Sequence, residues 1–129
     1  VKRGRKPESA AAKRARQDFT IEVLQKGPCW IQNVIPHVCS GPLDACHFID
    51  KSWLKKHAAF TLRLDIAGQL ACVWDPRNGA PGCRTGHGML DSGFHPVSFE
   101  LLPESVFDFC DDYRCWWRLE SKFPGKAAA

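Results

Sequence analysis

A chain of 129 residues has room for one domain around one modest core. No run of about 20 apolar residues occurs, so no helical membrane span is expected, and the charged start is not followed by the apolar stretch of a secretion signal. The net charge is +4, and the 7 cysteines are an odd number; for a soluble protein expected in the reducing cytoplasm, this points to metal ligation or buried thiols rather than to a disulfide framework.

The first 17 residues, VKRGRKPESAAAKRARQ, set the cations Lys2, Arg3, Arg5, Lys6, Lys13, Arg14 and Arg16 against Glu8 alone, so the rest of the chain is slightly acidic. Such a segment has little to bury. It reads as a flexible basic arm or a fraying helical extension, which either meets phosphates by counterion release or solubilises the terminus. The domain is expected over residues 18–124, with 125–129 as a tail. Phe19, Ile21, Val23 and Leu24 form an apolar face that predicts a helix of two or three turns, stopped by the Lys-Gly-Pro that follows. A loop, GPCWIQNVIPHVCSGP, then offers Cys29 and Cys39 as candidate ligands, with His37 beside the second.

The His-Phe-Ile at 47–49 reads as a short strand, and DKSWLKKHAAF as a helix or turn exposing Lys51, Lys55 and Lys56 towards a phosphate backbone. The stretch QLACV predicts a second short strand before a Pro/Asn/Gly turn, and RTGHGMLDSG a short helix despite its glycines. Near the C-terminus, Pro103 suits a first helical turn with Glu104 beside it. Val106, Phe107, Phe109 and Cys110 form the apolar face of that helix, and Trp116, Trp117, Leu119 and Phe123 are expected to finish the core. Cys72, Cys110 and Cys115 stand in apolar contexts and read as buried thiols. His57 and His95 have no partner recognisable in the sequence. The fold class expected is α+β.

Three spacings carry the chemistry. Asn78 precedes His87 by nine residues, Cys83 falls five after Asn78, and Asp91 follows His87 by four. A histidine and a carboxylate at i and i+4 share one helix face, close enough for one cation, and their N and O donors suit Zn²⁺, Mn²⁺, Ni²⁺ and, less well, Mg²⁺. His47, one strand-turn interval earlier, could sit across that cation. Each residue also has a plainer reading: Asn78 as the turn residue of Arg-Asn-Gly, His87 and Asp91 as a solvated helix face, the lysines as an exposed surface. Arg77 and Arg84 flank the pattern and are candidates for phosphate contact.

Cys-His-Phe-Ile followed by DPRNGAPGCRTGHGMLD resembles the HNH endonuclease motif, over residues 29–95. The wording is most similar to the small HNH proteins of bacteriophages and prophages. The resemblance implies a ββα-metal (His-Me finger) core with flanking N- and C-terminal helices. It implies that His47 is the general base, that Asn78 holds it in orientation, and that His87 with Asp91 binds one divalent cation stabilising charge on the phosphorane and the 3′-oxygen. Cys46 stands where relatives place a further ligand to that ion; a thiolate there favours zinc. Many relatives also carry a structural zinc on two CxxC pairs. Here the first pair is stretched to Cys29 and Cys39 and the second reads Cys83 then Gly86, which leaves the fourth ligand to His37 or Cys46. The implied function is a metal-dependent DNA endonuclease of a bacterial cytoplasm. The alternative is a zinc-stabilised nucleic-acid-binding module with a degenerate nuclease site. No Gly-rich phosphate loop and no HExxH pattern supports another hydrolase class.

Overall fold

A computed structural model describes residues 7–93 and 95–125. The first element, α1 (Ala10–Leu24), begins where the Ser9 hydroxyl accepts the Ala12 amide at 3.1 Å, and continues through alanines, lysine and arginines, all strong helix formers. Residues 10–17 are therefore the first two turns of a helix and not part of a flexible arm. Arg16 is tied back to Glu8 by a two-pronged ion pair, 3.0 and 3.1 Å. Lys2, Arg3, Arg5 and Lys6 lie outside the described residues, as does most of the expected tail.

A two-stranded antiparallel sheet forms the centre. Strand β1 (Leu43–His47) pairs with β2 (Gly79–Cys83), Leu43 opposite Cys83 and His47 opposite Gly79. The second strand is thus Gly-Ala-Pro-Gly-Cys, every residue of it buried, and not the apolar QLACV. QLACV instead ends a helix, α3 (Ile66–Val73), whose start is fixed by the Asp65 carboxylate accepting the Gly68 amide at 2.7 Å. Small residues in β2 are a packing requirement. A Cβ on Gly79 would lie 2.7 Å from Val23 of α1, and one on Gly82 2.6 Å from Ile31, so both neighbours rest directly on the strand backbone. Pro81 is tolerated because a strand of a two-stranded sheet keeps one unpaired edge.

Between the strands, α2 (Lys51–Lys56) widens into a π-helical turn over His57–Thr61 before α3. A helix, α4 (Arg84–Ser92), leaves β2 without an intervening loop, its first turn capped by the Cys83 sulfur. The chain finishes with α5 (Glu104–Tyr113) and α6 (Trp116–Lys122). Pro103 is the residue that caps α5 rather than the first of its helical residues. Phe48, Ile49, Leu54, Val106, Phe109 and Leu119 make the fully buried core, and Cys72, Cys110 and Cys115 are buried free thiols within it. Trp117, expected in the core, is 61% exposed. His57, expected without a partner, stacks on Trp53 at 4.6 Å, and its Nε2–H donates to the Tyr113 carbonyl at 2.7 Å. The protein is mixed α+β, and among the described residues no helix is long and apolar enough to cross a membrane.

Candidate metal centres

Two groups of ligating side chains flank the strand pair. At the Cys83 end, the sulfurs of Cys29, Cys39 and Cys83 and the Nε2 of His37 all fall within 4.8 Å of one another. His37 Nε2 is 3.7, 3.5 and 3.2 Å from the three sulfurs. A tetrahedral zinc with ordinary bond lengths sets such S···N separations at about 3.6 Å, so this Cys₃His group could hold a metal such as zinc with little adjustment. His37 Nδ1–H donates to the Ile35 carbonyl at 2.5 Å, which leaves the Nε2 lone pair for the thiols or an ion.

The glycine at 86 follows from this geometry. A Cβ there would sit 2.7 Å from His37 Nε2, so the imidazole occupies the space a cysteine at 86 would need. Burial raises the Cys83 thiol, but the amides of Gly86 and Ser40, with His37 and Cys39, stabilise its thiolate and bring it down to about 6. Cys46 joins neither group. Alternation along β1 turns its sulfur inward, packed near Gly82 and 3.6 Å from the Asp44 carbonyl, where burial pushes the thiol up to about 12. Its assignments to a catalytic ion and as a fourth zinc ligand are both corrected by this placement.

In the second group, Asp44, His47, His87 and Asp91 line one cavity of about 580 Å³, joined by Arg16, Lys51 and Trp74. His87 lies between two carboxylates: Nε2 is 3.1 Å from Asp91, one helical turn on, and Nδ1 is 3.7 Å from Asp44 on β1. A neutral imidazole so placed can give one nitrogen to a cation and the other N–H to a carboxylate. Asp44 is a site residue that the sequence reading missed. Its signal was weak, a lone aspartate three residues before His47 with no partner spacing of its own. This set is looser than the first: among the described residues, Cys₃His is the only group of three or more ligand atoms gathered within 4.8 Å.

His47 is held differently. Its ring stacks on Phe19 at 4.3 Å and meets Trp74 edge-on at 5.4 Å, while Nε2 lies 3.0 Å from the Val73 carbonyl. A carbonyl only accepts, so Nε2 carries the proton and Nδ1 keeps the basic lone pair. Nδ1 has no partner among the described residues. The one fully buried side-chain nitrogen or oxygen left unpaired there is Arg118 Nε, so Nδ1 keeps some accessible surface. Burial, only partly offset by the Val73 bond, lowers the His47 pKa to about 4, which keeps the ring neutral.

Asn78 does not touch the His47 ring. Fully buried, it accepts the Ile49 amide and donates to the Ile49 carbonyl, both at 3.0 Å, and its own carbonyl accepts the Phe48 amide. It therefore fixes the backbone directly after His47. Asn78→Ala strands both Ile49 groups in the core and is expected to lower unfolding stability by about 2–4 kcal/mol, read from urea titration. A loss under about 0.5 kcal/mol would mean that this pair of bonds does not hold the segment.

The predicted phosphate-contacting residues separate into two kinds. Lys51 lies over the Trp74 ring, 5.3 Å from its centroid, at the cavity edge; Lys55, Lys56 and Arg84 are exposed. Arg77 is engaged instead, bound to Asp75 at 2.9 Å and Asp112 at 2.6 Å, and its guanidinium is held by those carboxylates rather than offered to a phosphate. Arg16, read in the sequence only as one cation of the basic arm, lines the cavity from α1. Comparison of the chain with protein-family models, with curated proteins and with solved structures finds no match in any of the three.

Proposed function

We propose that this protein is a metal-dependent endonuclease that hydrolyses DNA phosphodiesters at the cavity between β1, α1 and α4. The observation that carries the reading is His47: a neutral imidazole, anchored through Nε2–H, with its Nδ1 lone pair free beside a cavity lined by a histidine and two carboxylates. That set of donors suits one hard or borderline divalent ion, Mg²⁺, Mn²⁺, Ni²⁺ or Zn²⁺, which when bound by His87 with Asp91 or Asp44 would stabilise charge building on the phosphorus oxygens and leaving oxygen. His47 Nδ1 takes the proton from the attacking water, and the resulting imidazolium keeps its Val73 bond. Lys51 contributes positive charge at the cavity wall. The strand pair followed by α4 is then a ββα-metal core, and the Cys₃His group a structural zinc joining the loop over 29–39 to the β2–α4 junction.

The Cys₃His group favours a second reading, a zinc-stabilised nucleic-acid-binding module without cleavage. Nicking of supercoiled plasmid by the zinc-loaded protein separates the two. The nuclease reading expects nicking when Mg²⁺, Mn²⁺, Ni²⁺ or further Zn²⁺ is added, lost in His87→Ala. DNA binding with no nicking in any of these ions would leave the binding module.

A further inference from the structure

Away from both metal groups, the π-helical turn and α6 bring several aromatic rings to the surface. Phe60 is 77% exposed and Trp117 61%. Trp53 lies beneath them, edge-on to Trp117 at 5.4 Å and stacked on His57. Together with Lys56 and Arg114 these rings line a depression of about 330 Å³, and no carboxylate lines it. Such large rings are unusual on a surface unless they meet a partner.

Arg114 adds a second observation. It closes α5 in the left-handed region, φ 52°, where glycine is the usual residue and a side chain costs about 1–2 kcal/mol. The strained cap carries a cation into the depression. Phe60 stands in the π turn that continues the helix carrying Lys56.

Exposed rings in a depression lined by two cations and by no carboxylate match a polyanion that carries flat apolar faces. In a duplex those faces are stacked inside; in a single strand they are available. We propose that this patch binds unpaired nucleotides, Phe60 and Trp117 stacking on bases and Lys56 and Arg114 contacting the adjoining phosphates. Lys51, at the edge of the His47 cavity, and Phe60 are nine residues apart on one helical run, roughly 13 Å along its axis. If the nuclease reading also holds, the substrate is DNA with a single-stranded segment next to the cut; that corollary alone rests on the proposed function.

The test uses the full chain, zinc-loaded, with His47→Ala so that no cleavage intervenes. Anisotropy measures binding of a labelled oligothymidylate and of a duplex, and tryptophan emission is followed in the same titrations. The proposal expects oligothymidylate to quench that emission, Phe60→Ala and Trp117→Ala each to weaken single-strand binding about tenfold, and duplex binding to stay within about twofold. Both side chains are exposed, so circular dichroism should show the fold retained. The proposal is overturned if the double variant binds oligothymidylate like its parent, if both DNA forms weaken equally, or if its only change is loss of self-association, which would make the patch a protein interface. Plasmid nicking by the parent is scored separately: ring-dependent oligothymidylate binding without nicking removes the nuclease reading and leaves the patch, and nicking without it does the reverse.

Discussion

His47→Ala is expected to reduce divalent-dependent nicking by about 10²–10⁴-fold, the usual contribution of a positioned general base. Zinc content and the circular dichroism spectrum should be unchanged, because the ring lies in the cavity wall at the opposite end of the strand pair from the Cys₃His group. A mutant cutting as fast as its parent would remove His47 from the chemistry. The pH dependence makes the assignment sharper. A histidine of ordinary pKa, near 6.5, loses its basic lone pair as pH falls through 6.5, whereas His47, lowered to about 4, keeps it well into the acid range. Single-turnover nicking limited by this base, at saturating divalent ion and with the zinc still bound, therefore holds down to about pH 5, where an unshifted histidine would already have lost most of its rate.

The same shift has a consequence for stability, and its sign is fixed. The unfolded chain protonates this histidine near pH 6.5, while the folded chain resists until about 4. Between those values the unfolded state binds more protons, so stability is full above about 6.5 and falls as pH drops towards 4, by something of the order of 3 kcal/mol. His47→Ala should flatten that part of the stability-against-pH curve. An unchanged slope would show that the ring is not shielded from water as its packing against Phe19 and Trp74 implies.

Much of the candidate site was legible because it is written in local spacing. His87 and Asp91 are one helical turn apart, and the Asn78-to-Cys83 interval covers β2 and the turn before it, so their relation survives errors elsewhere. The second strand was not legible. QLACV is short and apolar, a pattern that a buried strand and a buried helix share, and the Asp65 cap that decides for helix was overlooked. GAPGC carries no strand propensity at all; it is a strand because β1 pairs with it and because Phe19, Val23 and Ile31 leave room for nothing larger. The length of α1 was underestimated for a related reason: the charged run was left between a flexible arm and a fraying helical extension, although Ser9 and the alanines already marked a helix start. The Cys₃His set was visible only as alternatives, since the choice of His37 over Cys46 depends on the inward turn of Cys46 in β1 and on the close approach of His37 to Gly86.

Removing metal from the Cys₃His group is expected to unfold the domain. Its ligands come from the loop over residues 29–39 and from Cys83, the junction of β2 and α4; apart from the packing of Ile31 on Gly82, the loop meets that junction through the Cys83 amide on the Cys29 sulfur at 3.3 Å, the Arg84 amide on the Ser40 carbonyl at 3.1 Å and the Ser40 and Thr85 hydroxyls. Structural zinc in small domains contributes an apparent 10–16 kcal/mol at neutral pH, comparable to or larger than the whole stability of a chain this size, about 5–15 kcal/mol. The purified protein should therefore hold one zinc per chain in this group, and a strong chelator should abolish the cooperative thermal transition and open thiols to titration. Protons compete for the same ligands, so zinc is held at neutral pH and released as pH falls. Three variants locate the ion. His37→Ala should lower zinc affinity sharply, and Gly86→Ala should do the same by driving a methyl to 2.7 Å from His37 Nε2. Cys46→Ala, which removes a sulfur packed in the core, should leave the stoichiometry at one. Full zinc in His37→Ala with loss in Cys46→Ala would reverse the assignment of the fourth ligand, and a metal-free chain that keeps its cooperative melt would show that this group does not hold the fold together.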